Sequence, residues 1–148
     1  AELITVSKYW HRWDDPRLIV VVLNNRDLNQ VTWEQRAMAG DPKFVEAQEV
    51  IDFRYSAYAE MLGFKGIYVD NPEKIEDAWR QAFSSDRPVV IEFITDPDVP
   101  PLPPHITKDQ LQAYLSTLGK GDPDQWGILK QSAKQMFSRF NSRVDKEE

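Results

Sequence analysis

Hydrophobic positions along this chain follow two periods, and their alternation predicts its elements. In the opening segment Leu3, Val6, Tyr9, Trp10 and Trp13 recur near every 3.6 residues, which predicts a helix over residues 2–12. Asp14-Asp15-Pro16 closes it, because proline cannot continue a helix. Residues 18–25 then read LIVVVLNN: six branched apolar residues stop at two asparagines. A run this short cannot span a membrane; it reads as a strand over 17–23, buried on both faces as in parallel α/β sheets. A polar loop, residues 24–29, leads into helical patterns over 30–38, 43–50 and 54–62, with Gly40-Asp41-Pro42 as a breaker and Gly63 as a helix-ending C′ residue.

The strand pattern returns at 65–69. Asp70 or Asn71, with Pro72 near the first helical position, starts a helix that runs to about Phe83 and gathers Ile75, Ala78, Trp79 and Ala82 on one face. Residues 88–94 (PVVIEFI) form a third strand. From residue 18 onward the order is β-α-α-β-α-β, which predicts α/β class and a parallel sheet with right-handed crossovers. Three strands are few for such a sheet, so part of it is expected elsewhere. Residues 96–105 carry five prolines and are expected to be extended and stiff. Helices over 107–118 and 124–143, with Thr107 and Asp124 as caps, form a C-terminal helical tail. The expected division is 1–105 and 106–148.

The bulk numbers narrow the function. The 148 residues suit one domain. With 18 basic and 24 acidic residues the net charge is −6, which argues against nucleic acid as the main partner. The chain has no cysteine, so it holds no disulfide and no thiolate metal site. It also shows no apolar run of transmembrane length and no signal peptide, which makes the cytoplasm the default location. The sequence begins at Ala1, already in helical period. The expectation is a fragment that starts inside a larger fold.

Ligands of open parallel sheets bind beyond the carboxyl ends of the strands, where Asn24 and Asn25 fall. Asparagine, aspartate and glutamate in the segment 24–36 (NNRDLNQVTWEQR) offer oxygens suited to a hard cation such as Mg²⁺. Ordinary turn chemistry accounts for the same residues. His11 and His105 have no cysteine or histidine partner at metal or triad spacing, so neither carries hydrolytic chemistry. Gly63 and Gly66 do not make a phosphate loop.

The strand LIVVVLNN with its downstream LNQVTWEQR resembles the thiamine diphosphate-dependent enzymes of the acetolactate synthase and pyruvate oxidase group. Residues 54–94 and the segment RPVVIEFITDPDVPP look like the rest of the same pyrophosphate-binding domain. The resemblance implies a partial, truncated thiamine diphosphate-binding fold. It makes the Asn25 side-chain oxygen and the Asp27 backbone carbonyl Mg²⁺ ligands, with Asn24 shaping the loop and Leu28 and Val31 near the cofactor ring. Glu34 aligns with a substrate-side glutamate that moves a proton or orients water, and Trp33 either lines that pocket or sits in the core. The family motif opens with Gly-Asp-Gly, which occurs nowhere in this sequence. Its activating glutamate belongs to another domain, usually on a partner subunit.

The resemblance therefore implies a homo-oligomeric parent, completed by its remaining domains, that decarboxylates a 2-oxo acid such as pyruvate and passes the carbanion to an acceptor. FAD, where used, would bind outside these residues. This chain alone is expected to be inactive. The alternative is a non-catalytic α/β binding or interaction module. Lys130, Lys134, Arg139 and Arg143, with Ile128, Leu129, Ala133, Met136, Phe137 and Phe140, make residues 126–143 a basic amphipathic helix that either packs on the enzyme body or meets a membrane surface.

Overall fold

A computed structural model describes residues 2–99 and 107–144, with 135–144 described by backbone alone. These residues divide into two compact units, one built from residues within 1–25 and 52–95, the other from residues within 26–51 and 96–148. The compact units are thus discontinuous in sequence.

The first unit is an α/β layer. Helix α1 (Glu2–Tyr9) continues as a 3₁₀ turn (Trp10–Arg12) and leads to strand β1 (Ile19–Asn24). Helix α4 (Tyr55–Met61), strand β2 (Lys65–Val69), helix α5 (Ile75–Phe83) and strand β3 (Val89–Ile94) complete it. The strands form one parallel sheet in the order β1-β3-β2, with Ile19 and Lys65 both level with Val89. Side chains alternate across it. Ile67, Val69, Val89 and Ile91 meet Ala78 and Ala82 of α5 on one face. On the other, Val20, Val22 and Val90 meet Leu3, Val6 and Trp10 from the N-terminal helix and Tyr55 and Ala59 of α4. The helices end and begin where local chemistry directs. Gly63 takes φ +81° after α4, and the Asn71 side chain accepts the Glu73 amide beside Pro72.

One expectation is corrected. The run at 18–25 does not make a strand buried on both faces, because β1 lies at an edge of this sheet and exposes Val21 and Leu23. The central position belongs to β3, whose Val89, Val90, Ile91 and Glu92 are all buried. On the face that α5 covers, Ile19 of β1 packs against the cluster of α5, β2 and β3, whereas Val21 and Leu23 are exposed.

Gly66 shows how closely α4 lies on β2. A Cβ there would stand 2.2 Å from the Ser56 carbonyl oxygen and 2.8 Å from its carbon. Backbone cannot yield as a side-chain tip does, so Gly66→Ala should cost about 3 kcal/mol, the upper range for overpacking. A urea midpoint equal to that of the unaltered protein would show that α4 does not bear on β2 in this way.

The second unit is helical. Helix α2 (Asn29–Glu34) runs into a π turn (Gln35–Ala39), followed by α3 (Val45–Gln48), α6 (Lys108–Gly119) and α7 (Gln125–Val144). Thr107 caps α6 in a reciprocal box with Gln110. Gly40, at φ +69°, lies against Ala113 and Ser116 of α6. Trp33, Ala37, Tyr114 and Ile128 form its apolar core. No helix among the described residues is long and apolar enough to cross a membrane. The His105 reading falls on residues 100–106, outside those described. So do the side chains of Met136, Phe137, Arg139, Phe140 and Arg143 in the amphipathic stripe.

Candidate functional site

At the carboxyl end of β1 the two asparagines differ. Asn24 is buried, and its Nδ2 donates to Glu92 Oε1 at 2.7 Å and to the Phe53 carbonyl at 3.3 Å. The other Glu92 oxygen accepts the Ser56 amide at 3.0 Å and the Ser56 hydroxyl at 2.7 Å. Burial pushes the Glu92 carboxyl up. The Ser56 amide, the Asn24 amide and the Ser56 hydroxyl outweigh it and hold the group below its ordinary value. Asn24 is therefore a tie between β1, β3 and the start of α4. Asn25, the next residue, is half-buried.

Immediately after it the backbone turns sharply. Arg26 has φ +56°, a left-handed conformation that costs a non-glycine residue about 1–2 kcal/mol. An isolated antiparallel bridge then pairs Asp27 with Glu49. Its bonds run from the Leu28 amide to the Gln48 carbonyl and from the Val50 amide to the Arg26 carbonyl, each 2.8 Å. Along extended chain successive residues turn their carbonyls to opposite sides, so that of Asp27 is directed away from residues 48–50. The Asp27 carboxylate is engaged within the unit. It accepts the Thr32 hydroxyl at 2.9 Å and pairs with the Lys43 ammonium at 2.5 Å.

Helix α2 separates its faces. Thr32, Trp33, Arg36 and Ala37 point inward, whereas Leu28, Val31, Glu34 and Met38 are exposed. The structure thus brings Leu28, Val31 and Glu34 onto one open face, with Glu34 accepting from Gln30 at 3.1 Å. Trp33 belongs to the core rather than to that face.

Sequence reasoning missed the charges around this segment. Arg36 grips Asp122 through two bonds, Nε to Oδ2 at 2.7 Å and Nη2 to Oδ1 at 2.6 Å, and reaches Asp124 at 2.9 Å. Lys43 Nζ stands 3.3 Å from Asp124, and its backbone amide donates to Asp122 at 3.0 Å. The side chains of Arg36, Lys43 and Asp122 are 5%, 4% and 0% exposed. Burial pushes the Asp122 carboxyl up; the bonds from Arg36 and the two backbone amides hold it lower. Burial lowers Lys43, and its bond to Asp27 and the field of Asp124 more than restore it. Residues 121–123 read as a turn, Gly-Asp-Pro, and no local signal marks Asp122 as a buried acid. Glu92 did leave a signal, a lone carboxylate inside an apolar strand.

For a divalent cation the donors in this segment are neutral: an amide oxygen at Asn25 and the carbonyl at Asp27. Among the described residues no cluster of three or more histidine, cysteine, aspartate or glutamate side chains could hold a metal ion. With the Asp27 carboxylate committed to Lys43, these donors would fit only the neutral share of a divalent-cation site.

Comparison with known proteins bears on this fit. The Bacillus subtilis protein YdaP, named as a thiamine pyrophosphate-containing protein, is 33% identical over 124 residues, which are 81% of this chain and 21% of YdaP. The mitochondrial acetolactate synthase catalytic subunit of Aspergillus candidus is 34% identical over 84 residues, 57% of this chain and 12% of that protein. The chain thus spans about a fifth or less of the length of these relatives. Residues 2–93 match the model of the thiamine pyrophosphate enzyme C-terminal TPP-binding domain. A parallel sheet flanked by helices, two asparagines at the carboxyl end of a strand and a match over most of the chain have one meaning: this chain belongs to the family of thiamine pyrophosphate enzyme C-terminal TPP-binding domains.

Proposed function

We propose that this chain supplies the neutral metal donors and the ring-facing helix of a thiamine diphosphate site. The enzyme would resemble pyruvate oxidase and acetolactate synthase and act on a 2-oxo acid such as pyruvate by decarboxylation and carbanion transfer. Asn25 offers its side-chain oxygen to Mg²⁺ and Asp27 its backbone carbonyl. Leu28 and Val31 lie along the cofactor, Asn24 braces the strand end, and Glu34 orients water or moves a proton on the substrate side. The bound cofactor would supply the electron sink, while the protein binds, orients and tunes it. The observation that carries this reading is the left-handed turn at Arg26, after which Asp27 faces its carbonyl away from the 48–50 segment while Leu28, Val31 and Glu34 share an open helix face.

Two neutral oxygens bind a divalent cation weakly, since ligand charge count sets affinity. The remaining domains and a second subunit of a homo-oligomeric parent would complete the site, and the 148-residue chain alone would be inactive. Isothermal titration of this chain with Mg²⁺ and thiamine diphosphate should show no binding at micromolar concentration. Micromolar binding would overturn the split-site reading and make the chain a self-sufficient cofactor module.

A further inference from the structure

We infer that Lys43 is a positioning residue for the metal-binding turn, held in place by the acidic turn between α6 and α7. The inference rests on the proposed role of the Asp27 carbonyl as a Mg²⁺ ligand. Its basis is the geometry of the second unit. Arg26 occupies a left-handed conformation that the chain does not favour, so surrounding contacts must hold it. Those contacts converge on the following residue. Thr32 donates to one oxygen of Asp27, Lys43 pairs with the other, and the same ammonium stands 3.5 Å from Glu49, the bridge partner of Asp27. Lys43 thus clamps both chains of the bridge from which the Asp27 carbonyl projects.

Lys43 is fixed in turn from its other side. Asp122 accepts its backbone amide, Asp124 faces its ammonium, and Arg36 binds both aspartates. Arg36 lies in the π turn that continues α2, two residues beyond Glu34. One acidic turn at 122–124 therefore keys both the carbonyl-bearing bridge and the helix that presents Leu28, Val31 and Glu34.

Buried ion pairs of this kind add little net stability compared with apolar packing, because taking charges out of water costs as much as their attraction returns. They do impose a single arrangement. A metal ligand must be placed within fractions of an ångström, and the groups that orient such ligands typically change metal affinity about 10–100-fold when altered. Because the Lys43 ammonium touches Asp27 and its bridge partner Glu49 together, it ties the two chains at the point where the Asp27 carbonyl leaves the bridge.

The test uses the complete protein and its Mg²⁺ dissociation constant, read by titrating the metal against bound thiamine diphosphate. Lys43→Met should raise that constant by about 10–100-fold, and Lys43→Arg, which keeps the charge, should recover much of the loss. Asp122→Asn, which touches neither proposed ligand, should raise it as well. The apo-protein melting temperature is measured alongside, so a loss of fold is distinguished from a loss of metal. An unchanged metal constant in folded Lys43→Met and Asp122→Asn proteins would overturn the inference. Should Lys43→Met fail to fold, the Asp122→Asn and Lys43→Arg proteins decide alone. Asn25→Ala serves as the control for the underlying reading. If it weakens Mg²⁺ while the Lys43 and Asp122 variants do not, only the positioning inference fails. If Asn25→Ala leaves Mg²⁺ unchanged, the metal reading fails and the inference falls with it.

Discussion

Replacing Arg36 with methionine is expected to destabilise this protein by about 3–5 kcal/mol, the cost of leaving a buried charge without its partner. The side chains fill similar volume, so little of the effect comes from packing. What is lost is a bidentate grip on Asp122, whose side chain is fully buried, and the contact to Asp124. The Asp122 carboxylate would keep only the backbone amides of Lys43 and Asp124. Two such bonds do not offset the desolvation of a full charge. A double variant, Arg36→Met with Asp122→Leu, removes both charges and should recover most of the loss. Urea denaturation of the single and double variants checks this. A single-variant loss below about 1 kcal/mol, the range of exposed pairs, would show that water reaches this site.

Replacing Glu92 with alanine is the second large expectation, about 3 kcal/mol or more. Three donors would lose the carboxylate: the Ser56 amide and hydroxyl, and Asn24 Nδ2, which would keep only the Phe53 carbonyl. A buried unsatisfied donor costs about 1–3 kcal/mol, and the space left in the central strand adds a cavity term. The same carboxylate should leave a signature in pH. Its folded pKa lies below the ordinary glutamate value, so its contribution is fully present above that value, near about pH 4.3, and is lost as pH falls through the folded pKa. Glu92→Gln should remove this part of the acid slope while costing less at neutral pH. If the stabilities of Glu92→Gln and the unaltered protein fell in parallel from about pH 6 to about pH 3, the carboxylate would not be ionised in the fold. Because Asn24 is held by Glu92, these variants also test whether the strand end that precedes Asn25 depends on this tie.

The two substitutions address different units, Arg36 in one and Glu92 in the other. Both concern ionised groups removed from water.

The sequence by itself determined the elements, and it did so through local physics. Helical and strand periods located α5, β2 and β3 nearly to the residue, since the side-chain geometry of a helix or a strand acts over a few positions. Caps were legible for the same reason: Thr107, Asn71 before Pro72, and Gly63 in its left-handed conformation need only their neighbours. The asparagine pair at the end of a strand, with its flanking order, also carried the family. Tertiary structure decided which apolar strand is central. The runs IVVVLN and VVIEFI are alike in character, and only the packing of α1, α4 and α5 puts the second in the middle and the first at the edge. It also decided the fate of Trp33, whose helix buries whichever face another helix meets. Above all, it brought Arg36 to Asp122 across 86 positions and Lys43 to Asp27 across helix α2 and its π turn. Read locally, each of these residues is an ordinary loop or helix charge in water. Their attraction becomes strong, and their arrangement unique, only where the fold excludes the solvent that would otherwise screen them.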